Sequence, residues 1–146
     1  MKLKIMCSVL LMSLSGASMA AIKESCPEPT AIQHTAGIYT AAARTAGNEW
    51  LGVVSSPAPK EIKAFESATF YSGEGTKETV GVFGKCTYIS ENGDAVDLRY
   101  QQGRTSEVSV KLENTSAWQR EDGPFGLVVY ECKSKEKSAC AFVIRK

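Results

Sequence analysis

Cys26, Cys86, Cys132 and Cys140 divide the chain at intervals of 60, 46 and 8 residues, and a fifth cysteine, Cys7, stands apart near the start. What those four do decides what the chain can fold into. A zinc site wants close pairs such as C-x2-C, and a thiol–disulfide exchange site wants C-x-x-C; no interval here fits either. A thiol–imidazole dyad needs a histidine, and the chain has one, His34. An even set of cysteines in an exported chain reads as a disulfide framework.

The leading residues point to export. Lys2 and Lys4 form a basic start, "IMCSVLLMSL" is a short apolar run, and "SMA" ends in small residues. That is the order of a secretory signal peptide, and the run is far shorter than the roughly 20 apolar residues of a membrane span. Cleavage is expected after Ala20, which removes Cys7. The flanks of Cys7 and Cys26 lack the small residues that precede a lipidated cysteine, so no lipid anchor is expected. The expected address is the periplasm, free or associated with the inner membrane, with no membrane span after cleavage.

Residues 21–146 then form one globular domain, long enough for a real core. Without Lys2 and Lys4 the 17 basic side chains become 15 against 16 acidic ones, a formal charge of −1. The signs are interspersed, so nucleic acid is not an expected partner. The one charge run, "KSKEK" at 133–137, reads as a solvated turn.

Four cysteines allow three pairings. Cys132 and Cys140 end "FGLVVYEC" and begin "CAFVIR". As neighbours across a hairpin their Cα atoms would lie about 5.5 Å apart, which favours Cys132–Cys140 and leaves Cys26–Cys86. On the loop-entropy model the long bridge is worth about 4 kcal/mol and the short one about 2–3.

"VFGKCTYISENGDAVDLRY", 82–100, reads as a hairpin. Its loop has two residues, Asn92-Gly93, or three with Gly93 left-handed. The three-residue loop sets Cys86 opposite Leu98, Tyr88 opposite Val96 and Gly84 opposite Tyr100. It gathers Cys86, Tyr88, Val96, Leu98 and Tyr100 on one face, with Lys85, Thr87, Asp97 and Arg99 on the other. A one-residue slip would scatter both sets, so the apolar face selects this register.

"EVSVKLE" alternates with Val108, Val110 and Leu112 inward. "FGLVVYEC" and "ACAFVI" look like more central strands. "GIYTAAA" and "NEWLGVVSS" read as strands joined at Gly47, and "CPEPTAI" as a turn or one helical turn. In "PKEIKAFESATFYSG" the spacing of Ile62, Phe65 and Ala68 predicts a short helix near 60–66, then a strand to Ser72. "GEGTKET" and "AWQREDGP" read as loops. Short strands between turn signals predict an all-β fold, an antiparallel β-sandwich or barrel with at most one short helix, stapled by disulfides. An α+β sheet is the alternative.

Little in the chain carries chemistry. There is no G-x-S-x-G, no phosphate-binding glycine loop and no H-E-x-x-H. No catalytic residue, metal ligand or cofactor is expected. His34 reads as a surface or strand-end residue. The acid pairs Glu121/Asp122 and Asp94/Asp97 are too common a pattern to mean glycosidase chemistry. "NTS" at 114–116 matches a glycosylation acceptor. Trp50, in "EWLGVV", reads as core. Trp118, in the polar "NTSAWQRED", is the candidate partner contact, because tryptophan is enriched at binding hot spots; the bland reading is a plug at one end of the sheet. Exposed strand edges would also offer β-augmentation.

Taken in order, "CPEPTAIQHTAGIYTA", "EWLG", "IKAFESATFY", "GKCTY" and "DLRY" resemble a family of small exported proteobacterial proteins known as a domain of unknown function, over roughly residues 26–100. Within that neighbourhood the chain is most similar to periplasmic proteins associated with type IV secretion (Dot/Icm), of the EirA kind. The resemblance carries no catalytic residues. It implies a periplasmic accessory role by protein–protein contact, supporting effector delivery and growth inside host cells. The expected partner is a protein of the bacterial envelope, with a homodimer as a further expectation. The alternatives are a small-ligand or glycan-binding module, and an enzyme inhibitor using "GEGTKET" as its loop.

Overall fold

The computed structural model describes residues 21–55, 60–103 and 107–145; the signal peptide expected over residues 1–20 lies outside them. The strands are β1 Lys23–Glu24, β2 Gln33–Thr35, β3 Ile38–Ala42, β4 Glu49–Val53, β5 Ile62–Ser72, β6 Gly81–Ser90, β7 Ala95–Gln101, β8 Ser109–Leu112, β9 Trp118–Asp122, β10 Val128–Cys132 and β11 Phe142–Ile144. Short 3-10 turns occur at Pro29–Ala31, Thr115–Ala117, Pro124–Gly126 and Lys137–Cys140. The fold is all-β, as the turn spacing predicts: one antiparallel sheet that curls into half a barrel. Its spine is β9-β10-β5-β6. At β6 it forks, one arm running β7-β4-β3-β2 and the other β8-β11-β1. Among the described residues no helix is long and apolar enough to cross a membrane.

The fork is set by β6. Its outer half pairs with β7, Cys86 opposite Leu98 and Tyr88 opposite Val96, in the register the apolar face selects. The loop has three residues: Ser90 N–H donates to Asp94 O at 2.9 Å, and Gly93 takes φ 87°. Its first two residues, Gly81 and Val82, pair with β8 instead. The described β6–β7 ladder stops at Cys86–Leu98, so Gly84 is not opposite Tyr100 as expected. Instead β7 continues along β4, with Tyr100 opposite Trp50.

The two arms close over a shared aromatic core. Trp50 meets Phe83, Tyr100 and Phe142 edge to face at 5.6, 5.1 and 6.2 Å, and Phe83 stacks on Phe142 at 4.2 Å. These rings come from β4, β6, β7 and β11, so the cluster joins the spine and both arms. Such pairs add about 0.5–1.5 kcal/mol each beyond the area they bury. Val108, Val110 and Leu112 face inward as their alternation requires.

Residues 60–66 are not helical; the whole of Ile62–Ser72 is strand. Ile62, Phe65 and Ala68 stand opposite Ser90, Tyr88 and Cys86. Each interval of three on β5 therefore spans two on β6, one β-bulge apiece. A strand with a bulge per interval puts every third residue on one face, and this mimics a helical period. "AWQREDGP" is likewise not a loop: Trp118–Asp122 forms β9 along β10.

The disulfides join Cys26 to Cys86, with Cα atoms 5.8 Å apart, and Cys132 to Cys140, 5.6 Å apart. The second pair does not span a hairpin. β10 pairs with β5 and β9, and β11 with β8 and β1; Cys140 ends a 3-10 turn that returns the chain to Cys132.

Two residues before Cys26 lies a buried acid. Glu24 is fully buried. Its carboxylate accepts from Thr45 N–H at 2.7 Å, Arg44 N–H at 3.1 Å and Tyr100 O–H at 3.2 Å. Tyr100 O in turn accepts from Asn48 Nδ2 at 2.8 Å. Thr45 and Asn48 lie between β3 and β4. Glu24 thus latches the β1 arm onto the β3–β4 hairpin where no backbone ladder joins them.

Replacing Glu24 with Ala takes the acceptor from two part-buried N–H groups and from the buried Tyr100 O–H, so we expect unfolding free energy to fall by about 1–3 kcal/mol. Urea titration measures this, and a loss below about 0.5 kcal/mol would be the wrong answer. A second expectation concerns alkali. Burial holds the phenols of Tyr39, Tyr88 and Tyr100 above the ordinary tyrosine value of 10.0. The unfolded chain ionises them near 10 and the folded chain does not. Their contribution is therefore whole below about pH 10 and is lost as pH rises beyond it. The melting temperature should fall above about pH 10 while phenolate absorbance appears together with unfolding; ionisation of all tyrosines in the folded protein would contradict it.

Candidate functional site

The residues singled out in the sequence do not converge. His34 sits on β2 opposite Tyr39, its ring stacked on the phenol at 5.3 Å. Asp97 accepts from Lys85 Nζ at 2.6 Å and Thr87 Oγ1 at 2.7 Å, so its charge is committed to the β6–β7 hairpin. Asp94 accepts from Asn92 in the same loop. Glu121 pairs with Lys133 at 3.7 Å. Among the described residues no three His, Cys, Asp or Glu side chains come together as a metal site requires. "GEGTKET" folds back on the sheet: Tyr130 O–H donates to Gly75 O at 3.0 Å and Lys77 Nζ to Trp118 O at 3.1 Å.

Trp118 is 0% exposed and presents no surface to a partner. It stands opposite Cys132 and meets Phe70 edge to face at 6.3 Å. Its polar neighbours misled because β9 is buried at its first residue alone: Trp118 is buried while Gln119, Arg120, Glu121 and Asp122 are exposed. Trp50 is core, as its apolar surroundings indicate.

The aromatic that does face solvent is Phe125. It stands at the tip of the β9–β10 hairpin, fully exposed at 102%, next to Leu127 at 54%. The tip is a type I′ turn: Phe125 takes φ 56° and ψ 31°, Gly126 takes φ 74°, and Leu127 N–H donates to Pro124 O at 3.2 Å. Both central residues of this turn need positive φ, which asparagine and glycine tolerate and a bulky side chain does not. Holding phenylalanine there costs on the order of 1–3 kcal/mol. No packing offsets that cost, since the ring touches solvent on all sides. Such an outlier points to selection for something other than stability.

Leu127 joins the tip to a shallow groove of about 360 Å3 lined by Tyr71, Val82, Phe83, Arg99 and Glu107. Beneath it Val129, Tyr71 and Val82 stand abreast on β10, β5 and β6. The hairpin tip and groove thus form one partly apolar surface with a polar rim, the anatomy of a protein contact. The sequence reading places Phe125 within a central strand because "FGLVVY" is apolar; the strand starts only at Val128. Pro124 and Gly126 around Phe125 are the signal that marks the turn.

A second concavity, of about 450 Å3, lies between the β1 arm and the Cys132–Cys140 loop, with Glu24, Ser25, Arg44, Trp50, Lys135 and Glu136 among its walls. Its deepest acid is Glu24, whose oxygens already accept three hydrogen bonds.

A family model described as "Protein of unknown function (DUF3757)" matches residues 21–143, and the chain belongs to that family. The match takes in both disulfides and the Phe125 hairpin, beyond the residues 26–100 on which the resemblance rests. No curated protein matches the chain, and neither does any solved structure.

The strain at Phe125 is directly measurable. Phe125→Asn places the residue the turn prefers at its left-handed position, and should raise unfolding free energy by about 0.5–1 kcal/mol. Thermal melts check this; a variant less stable than the parent would mean that the ring stabilises the fold.

Proposed function

We propose that this chain is a non-enzymatic accessory protein of the bacterial envelope that acts by protein–protein contact through the Phe125–Leu127 tip. The observation that carries the proposal is the exposed phenylalanine kept at a conformational cost. Aromatic anchors that leave water for a partner's pocket dominate binding energy. Burying one such side chain contributes about 1.5–3 kcal/mol. The two disulfides suit an oxidising compartment, and with the signal-like start they support a periplasmic address. The resemblance in "GKCTY" and its neighbours extends the proposal to support of type IV secretion and intracellular growth.

The test is capture of the tagged chain from crosslinked cells of its own bacterium, followed by mass spectrometry. We expect envelope or secretion-apparatus proteins with the parent chain and at least tenfold less of them with Phe125→Ala, at unchanged chain abundance. Equal recovery with Phe125→Ala, or recovery of the chain alone, would overturn the proposal.

A further inference from the structure

We infer that the outer edge of β9 is closed by a second copy of this chain, in an antiparallel ladder whose two-fold axis passes through Glu121; this goes beyond the Phe125 contact and does not rest on it. Among the described residues β9 pairs with β10 alone, and residues 119–122 are all exposed. Gly123 N–H donates to Leu127 O at 3.2 Å, making that a hydrogen-bonded pair. The alternation of an antiparallel ladder then assigns the bonds with β10 to Glu121–Val129 and Gln119–Glu131. The N–H and C=O groups of Trp118, Arg120 and Asp122 therefore point away from β10. Trp118 is already satisfied there: its N–H donates to Thr115 O, and its carbonyl accepts from Lys77 Nζ at 3.1 Å. The open edge thus consists of Arg120 and Asp122, with Glu121 at its centre.

Such an edge is complementary to itself. In a two-fold antiparallel pairing about Glu121, each Arg120 lies opposite the partner's Asp122. Both are hydrogen-bonded pairs, so the copies exchange four backbone bonds and use every outward group of Arg120 and Asp122. The same register sets two Arg120–Asp122 ion pairs across the seam, and opposite charges on facing residues stabilise a ladder. Neither side chain has an ion pair or hydrogen bond among the described residues, so none is broken in forming these. The cost falls at the axis, where Glu121 meets its own copy. Lys133 Nζ, 3.7 Å from the Glu121 carboxylate, supplies a counter-charge on each side. With the axis at Arg120 or Asp122 instead, neither ion pair forms. Asp122 would then face Trp118, whose groups are taken, or Arg120 would face Pro124, which has no N–H. The fit of the edge to itself, in bonds, charge and length, names a second copy as the occupant. The seam is well under the roughly 1,200–2,000 Å2 of a stable interface, so the dimer is weak and reversible, with a Kd on the order of 100 μM. It places the two Phe125 tips at opposite ends of one ribbon, roughly 25–30 Å apart and outside the paired residues.

Charge reversal tests the register directly. Sedimentation of the mature chain from about 10 μM to about 1 mM should show monomer passing to dimer. Arg120→Asp and Asp122→Arg each turn both ion pairs into like-charge pairs, and each alone should weaken the dimer at least tenfold. Mixed in equal parts, the two variants restore opposite charges at both positions and should associate within threefold of the parent. Thermal melts verify that both are folded, and Arg120→Glu and Asp122→Lys replace them if they are not. A monomer at every concentration, a dimer indifferent to the single reversals, or a mixture no tighter than its parts would each overturn the inference. A chain that stays monomeric and loses cellular capture with Arg120→Pro, which deletes one outward N–H, would overturn it in favour of a foreign strand. A monomeric chain that loses capture only with Phe125→Ala would overturn the dimer and leave the contact role standing.

Discussion

Strand β6 serves β5 along one edge and two different strands, β7 and β8, along the other, and this is possible only because it bends at Gly84. The β5 ladder there jumps from Thr69–Lys85 to Phe70–Phe83, leaving Gly84 unpaired. A side chain at Gly84 would place its Cβ 2.5 Å from the Tyr71 ring, so the bulge needs glycine. Once the strand bends, the sheet splits into two arms, and their inner faces meet over Trp50, Phe83, Tyr100 and Phe142. The Cys26–Cys86 bridge holds the start of the domain against the same strand, two residues from the bulge. Glu24 then supplies, with a carboxylate, the closure that the backbone ladder does not make.

Parts of this were legible in the sequence for simple reasons. The β6–β7 hairpin could be set in register because its faces differ sharply: Cys86, Tyr88, Val96 and Leu98 against Lys85, Thr87, Asp97 and Arg99. The strand around Val110 was legible for the same reason. β5 was not, because two bulges stretch its period from two to three, and a local pattern cannot tell a bulged strand from a helical turn. The Cys132–Cys140 pairing follows from proximity along the chain, although the geometry that brings the two together is a 3-10 turn and not a hairpin. At the hairpin tip the error ran both ways. Trp118 looked exposed because its neighbours are polar, and Phe125 looked buried because its neighbours are apolar. Packing against Phe70, opposite Cys132, buries the first, and a turn exposes the second.

The candidate site is therefore a surface and not a constellation of reacting groups. The acids singled out in the sequence are spent on local structure: Asp97 on Lys85 and Thr87, Glu121 on Lys133, and Glu24, once located, on the latch between the arms. Among the described residues the Phe125 ring is the aromatic that is fully exposed, and it sits at the tip of the β9–β10 hairpin. A rigid scaffold that presents an anchor and an open edge is suited to holding another protein.

The central claim is that the β9–β10 hairpin is the working surface. The most direct test replaces Phe125 with a photoreactive phenylalanine analogue in the chain expressed in its own bacterium. Illumination should yield a discrete crosslinked envelope protein from position 125 and none from Val53, an exposed apolar residue on β4. No adduct at 125, or the same adducts from Val53, would contradict the account.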